Sequence, residues 1–134
     1  MIALDTNVLA RYLVGDEPRQ TAAARRLIES SCTNEAPGVV SLVVLCELAW
    51  VLVQGYGYRR DQVALVLRRL LAAQDLAVER SDLAWQALNL YEEGPADFSD
   101  YVIGLSGRSQ GAEATCTLDR RAAKSPLFRL VSCA

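Results

Sequence analysis

The sequence predicts an α/β fold, a single doubly wound parallel sheet of about five strands flanked by helices, filling residues 1–134 as one domain. Short apolar runs alternate along the whole chain with stretches that carry helical spacing. Each pair of successive runs is separated by enough residues to hold a helix, which right-handed parallel crossovers require. Two of the runs end directly on an aspartate, at the strand ends where open α/β sheets bind their ligands.

Met1 to Leu4 reads as the first strand, and Asp5-Thr6-Asn7 is a group of N-cap formers placed where it stops. A helix from Val8 to Val14 follows, and Gly15-Asp16-Glu17-Pro18 is turn chemistry. Pro18 suits the first position of a helix running to about Ser30, whose apolar side is Ala22, Ala23, Leu27 and Ile28. Gly38-Val39-Val40 is a second strand, and Ser41 caps a helix from Leu42 to about Gln54. That helix is apolar all round, which predicts burial, yet Glu47 sits in its middle. A buried carboxylate there needs either a basic partner or a polar cleft holding a cation.

Gly55-Tyr56-Gly57-Tyr58 ends that helix, and Arg59 to about Gln74 forms the next, with Arg59, Arg60, Arg68 and Arg69 opposite its apolar face. Leu76 to Val78 is a third strand, and Ser81 caps a helix that ends near Glu93 at Gly94-Pro95. Asp97 is a good N-cap for a helix running to Gln110, with Gly111 closing it. Asp100 lies one turn on, on the same side, and is not needed as a cap. Ala114 to Leu118 is a fourth strand ending on Asp119, Arg120 to Ser125 suits one helical turn, and Phe128 to Val131 is a fifth strand.

Composition narrows the chemistry. The chain has 51% apolar and 22% charged residues, an ordinary globular balance, and no histidine. Cys32, Cys46, Cys116 and Cys133 lack C-x-x-C spacing, so a structural zinc site and a Cys-His or Ser-His nucleophile are both disfavoured. They read as small buried side chains in a reducing compartment. The opening strand carries an aspartate where a secretory leader would be apolar, so a cytoplasmic protein with no membrane association is expected. The formal charge of −2 hides its distribution, because setting aside five of the 16 acids, Asp5, Glu47, Asp97, Asp100 and Asp119, leaves 11 against 14 basic residues. All basic residues but Lys124 are arginine, which permits a phosphate-rich partner.

Asp5 and Asp119 end different strands, while Glu47 and Asp100 lie on helices able to flank the same crevice. Four converging carboxylates without histidine suit magnesium or manganese, held partly through water, and a cation so placed can activate water and stabilise a displaced phosphate oxygen.

Asp5-Thr6-Asn7-Val8-Leu9, Glu47 after Ser41, Asp97-Phe98-Ser99-Asp100-Tyr101-Val102-Ile103 and Thr117-Leu118-Asp119-Arg120 together resemble the PIN domain, specifically the small VapC-type toxin ribonucleases. The resemblance spans almost the whole chain, with the motifs in order. It implies a metal-dependent endoribonuclease that cuts cytoplasmic RNA, forms a homodimer and is neutralised by a small antitoxin. By position it implies that Asp5, Glu47, Asp100 and Asp119 are catalytic and hold Mg2+ or Mn2+, with Asp97 as an accessory acid. It implies also that Asn7 and Thr117 orient this quartet by hydrogen bonding. With lysine almost absent, arginines would grip the RNA. Two other readings stay open: a catalytically idle PIN-like scaffold that binds RNA or protein, and a phosphoryl-transfer protein of the haloacid-dehalogenase or receiver type, which leaves Glu47 without a role.

Overall fold

The computed structural model describes residues 1–133. Their elements run α1 (Thr6–Val14), α2 (Pro18–Ser31), β1 (Gly38–Val40), α3 (Leu42–Gln54), α4 (Arg60–Ala72), β2 (Leu76–Val78), α5 (Ser81–Glu93), α6 (Phe98–Ser109), β3 (Thr115–Thr117), a 3-10 turn (Ala122–Lys124) and β4 (Phe128–Leu130). The chain divides into two compact units, the first Met1–Ser81 and the second from Asp82 onward. No described helix is long and apolar enough to cross a membrane.

In the first unit β1 and β2 pair in parallel, Gly38 opposite Leu76 and Val40 opposite Val78. The expected first strand is reduced to one parallel bridge between Ala3 and Val39, in which the Leu4 N–H donates to Val39 O at 2.9 Å and the Val39 N–H to Ile2 O at 2.8 Å. It stays short because α1 starts at Thr6, two residues before the expected Val8, and its first turn takes the chain out of the extended conformation. Gly38 is where β1 passes closest to its neighbours. A Cβ there would lie 2.7 Å from Cys32 Sγ and 3.0 Å from a Leu4 methyl. Around this pairing α1, α2, α3 and α4 bury Leu9, Ile28, Leu45, Leu48, Leu52, Val63 and Leu67.

In the second unit β3 and β4 pair in parallel, Thr115 opposite Phe128 and Thr117 opposite Leu130. Helix α6 packs tightly on the β4 side, since a Cβ on Gly104 would meet Leu127 Cβ at 2.9 Å and the Phe128 ring at 3.0 Å. Tyr91 and Phe98 meet edge to face at 6.1 Å between ring centres and anchor α5 to the start of α6. The α/β class with parallel strands is as the sequence predicts. The strands themselves are three residues each, and they form two two-stranded sheets among the described residues.

The cysteines depart from expectation. Cys32 is buried and Cys46 half-buried, but Cys116 and Cys133 are exposed. Cys116 points outward because β3 alternates faces and its neighbours Thr115 and Thr117 take the more covered side. Burial pushes the Cys46 thiol up to about 11, so it stays protonated and unreactive at neutral pH.

Candidate active site

Asp5 occupies the N-cap of α1 in extended backbone, and its Oδ1 accepts the Thr6 N–H at 2.8 Å. The Thr6 hydroxyl in turn donates to Glu47 Oε1 at 2.8 Å, joining the start of α1 to the middle of α3 across 41 residues of sequence. Capping uses one oxygen of Asp5 and leaves the rest of its carboxylate exposed.

Glu47 is exposed, against the expectation of burial. Leu45, Leu48, Ala49 and Leu52 form the buried side of α3, while Val43 and Trp50 on Glu47's side are 69% and 64% exposed. Apolar composition alone therefore misjudged this helix, whose outward face is apolar and uncovered. Among the described residues neither Asp5 nor Glu47 has a basic partner, so the buried Glu-Arg pair is not what holds Glu47 in place.

Both carboxylates line a cleft of about 360 Å³ together with Thr6, Asn7, Ala10, Arg11, Val51 and Tyr56. Arg11 is the basic side chain of that lining, and its guanidinium is held from three directions. Nε donates to Gln20 Oε1 at 2.6 Å, and Nη1 donates to both Asp16 oxygens at 3.0 Å and to the Tyr56 hydroxyl at 2.9 Å. The hydrogen bond with Asp16 is the largest cause of a raised Arg11 pKa, ahead of the opposing effect of burial. For Asp16, burial pulls the carboxyl upward, but the Arg11 hydrogen bond, a backbone hydrogen bond, the Arg11 charge and the Tyr56 hydroxyl together outweigh it and leave the carboxyl below its usual range.

The second unit gathers the other acids. Asp97 holds the N-cap position of α6, and its N–H donates to Asp100 Oδ2 at 3.0 Å. Asp100 is therefore part of the cap, contrary to the expectation that it was not needed there, because the third helical position reaches back to the N-cap amide. Asp97 Oδ1 accepts from Arg121 Nη2 at 3.0 Å. Asp119 follows β3, takes the Thr117 hydroxyl oxygen as acceptor for its own N–H at 3.0 Å, and accepts the Arg121 N–H on Oδ1 at 2.8 Å. Thr117 thus braces the backbone of Asp119. Asp100 is half-buried, and its carboxyl is pushed up, first by desolvation and then by the charges of Asp97 and Asp119, with the Asp97 N–H and Arg121 opposing.

Each unit accordingly brings a group of oxygens together: Asp5, Thr6 and Glu47 in one, and Asp97, Asp100 and Asp119 beside Arg121 in the other. Among the described residues no three histidine, cysteine, aspartate or glutamate side chains form a cluster able to hold a metal ion as they stand. The donor chemistry, carboxylates and hydroxyls without nitrogen or sulfur, fits a hard dication that keeps several waters. Asn7 is exposed and lines the same cleft as Asp5.

Four residues were not singled out by sequence reasoning. Thr6 was read only as cap chemistry, although its position between Asp5 and Asn7 was visible. Glu79 follows β2 as Asp5 and Asp119 follow their strand positions, and its Oε1 accepts the Leu42 N–H at 2.9 Å. That repeated strand-then-acid pattern was its signal. Arg11 and Arg121 gave none, since a single arginine near a turn is unremarkable before its partners are known.

Residues 2–126 match the family model of the PIN domain. The chain belongs to the PIN domain family. It is also 27% identical to a VapC ribonuclease of Aquifex aeolicus (strain VF5) over 121 residues, which is 90% of this chain and 89% of that one. In this PIN domain the matched span contains every acid described above, from Asp5 to Asp119.

Proposed function

We propose that this PIN-domain chain is a magnesium- or manganese-dependent endoribonuclease of the cytoplasm, the toxin of a toxin–antitoxin pair. Asp5, Glu47, Asp100 and Asp119 would hold the cation, Asp97 would be accessory, and Asn7 and Thr117 would orient the ligands. The observation that carries this reading is the Thr6-linked pair of Asp5 and Glu47, two exposed carboxylates in one cleft with no basic side chain bonded to either. Like charges so placed are tolerated when a cation serves them. The chemistry a divalent cation supplies there is activation of water and stabilisation of the leaving oxygen. The similarity to a VapC ribonuclease supports RNA as substrate, the resemblance of the motifs to VapC-type toxins carries the antitoxin as partner, and the uncovered apolar side of α3 supports a homodimer. Membership of the PIN family favours this reading over haloacid-dehalogenase or receiver chemistry.

The test is cleavage of single-stranded RNA by the purified chain. Cleavage is expected with magnesium or manganese, and Asp5→Asn or Asp100→Asn is expected to lower it by at least about 100-fold, since loss of even an outer support of a metal ligand costs roughly 10–100-fold. Full activity in excess chelator, or in both variants, would overturn the reading. An inert wild type with intact RNA binding would identify the idle scaffold instead. Growth arrest on expression, relieved by the product of a short neighbouring reading frame, is the expected sign of the antitoxin.

A further inference from the structure

Arg11 is more firmly oriented than its place on a surface helix requires. Its side chain is 31% exposed, and its Nε and Nη1 are engaged by Gln20 on α2, Asp16 in the α1–α2 turn and Tyr56 beyond α3. Fixing a flexible arginine in one rotamer carries an entropy cost. Nη2, with two donors, has no partner among the described residues.

The same side chain lines two clefts. One is the carboxylate cleft of Asp5 and Glu47, and the other, of about 480 Å³, runs between α1 and α2 past Asn7, Val8, Ala24 and Leu27. An RNA strand entering beside two carboxylates meets repulsion on its phosphates, so it needs a donor of opposite charge at the cleft wall. Arg11 is the basic residue in that wall, and a cationic N–H on Nη2 can make a charge-assisted hydrogen bond to a phosphodiester oxygen. Asp16 neutralises part of its charge but leaves the two N–H groups of Nη2 free to donate.

We propose that Arg11 is a substrate-contacting residue, donating from Nη2 to a non-bridging oxygen of an RNA backbone phosphate and holding the strand against the carboxylate cleft. This rests on the nuclease reading above and adds to it the residue that grips the substrate. The contact carries no base information, so it acts on all sequences alike.

The experiment measures binding of a ten-nucleotide 2′-O-methyl RNA in calcium by fluorescence anisotropy, over a series of salt concentrations, together with KM and kcat in manganese. Arg11→Met is expected to weaken binding by roughly 10-fold or more, as loss of a charge-assisted hydrogen bond does. The slope of log K against log salt should become shallower by about 0.7, as for one phosphate contact on a single strand. KM should rise while kcat holds, and manganese affinity should be unchanged. Arg25→Met, which removes a charge from α2 at a position lining neither cleft, should leave binding as it is.

If Arg11 serves only to tie α1 to α2, Arg11→Met lowers the melting temperature while the affinity and salt slope of the folded protein stay those of the wild type, and the proposal is overturned. Should that variant not fold, Arg11→Lys keeps the charge but has a single nitrogen, which cannot hold Asp16, Gln20 and Tyr56 and also reach a phosphate as Nη2 does. Weakened binding then supports the contact, and unchanged binding overturns it. A wild type that neither binds nor cleaves RNA removes the nuclease reading and this one with it. A wild type that does both, with Arg11→Met unaltered, removes Arg11 alone.

Discussion

Asp16 and Arg11 couple the first unit's stability to acid. Because the Asp16 carboxyl is held below its ordinary range in the fold, the unfolded chain takes up its proton first as pH falls. The stabilisation is therefore fully present above the ordinary carboxylate value of 3.8, and it is lost as pH drops through the lower value of the folded state. Asp16→Asn is expected to lower the melting temperature at pH 7 and to leave a smaller difference between pH 7 and pH 3 than in the wild type. Melting curves at the two pH values check this, and an unchanged difference would mean that Asp16 gains nothing from Arg11. At this scale the sequence was legible where a residue's role is local. Ser41 caps through its hydroxyl to the Val44 N–H, and Asp5 and Asp97 stand at N-caps, all at positions set by neighbours within a turn. The bond between Glu47 and Thr6 was not legible, because the two lie 41 residues apart and no local pattern predicts it.

At the scale of elements, α3 shows why composition and burial part company. A helix this apolar satisfies the packing needs of one unit with one side, through Leu45, Leu48, Ala49 and Leu52, and leaves Val43, Trp50 and Val53 exposed. Uncovered Val43 and Trp50 on one helix are what a partner surface presents, and tryptophan is prominent among residues that dominate interfaces. With a second copy as the occupant, Trp50→Ser is expected to weaken self-association by about 30-fold, corresponding to a hot spot of about 2 kcal/mol. Sedimentation at micromolar concentration measures it. A monomeric wild type, or a variant that associates equally well, would exclude α3 from the interface. Helix positions themselves were readable from caps and breakers, Pro18 opening α2 and Gly94-Pro95 following α5. The strands were readable as runs but not in length, since a three-residue strand ends where its hydrogen-bond partner ends, and apolar character continues past that point.

For the whole molecule, a net charge of −2 conceals acids gathered where they oppose one another. Asp100 is the clearest case. Desolvation and the charges of Asp97 and Asp119 raise its affinity for a proton, so its ionised form at neutral pH costs stability in the absence of a cation. Asparagine at this position keeps an oxygen to accept the Asp97 N–H and removes the charge. The metal-free melting temperature of Asp100→Asn is therefore expected to exceed that of the wild type. A cation that binds only the native chain adds stability by mass action, about 2.7 kcal/mol at 100 times its dissociation constant. For a chain of this length that is on the order of 10 °C in melting temperature. Millimolar manganese should thus raise the wild-type curve, and the rise should shrink in Asp100→Asn and in Asp5→Asn. The comparison needs melting curves of the three proteins with chelator and with manganese. Equal curves with and without manganese, together with no gain in metal-free Asp100→Asn, would show that these acids hold no cation, and the nuclease reading would lose its chemical basis.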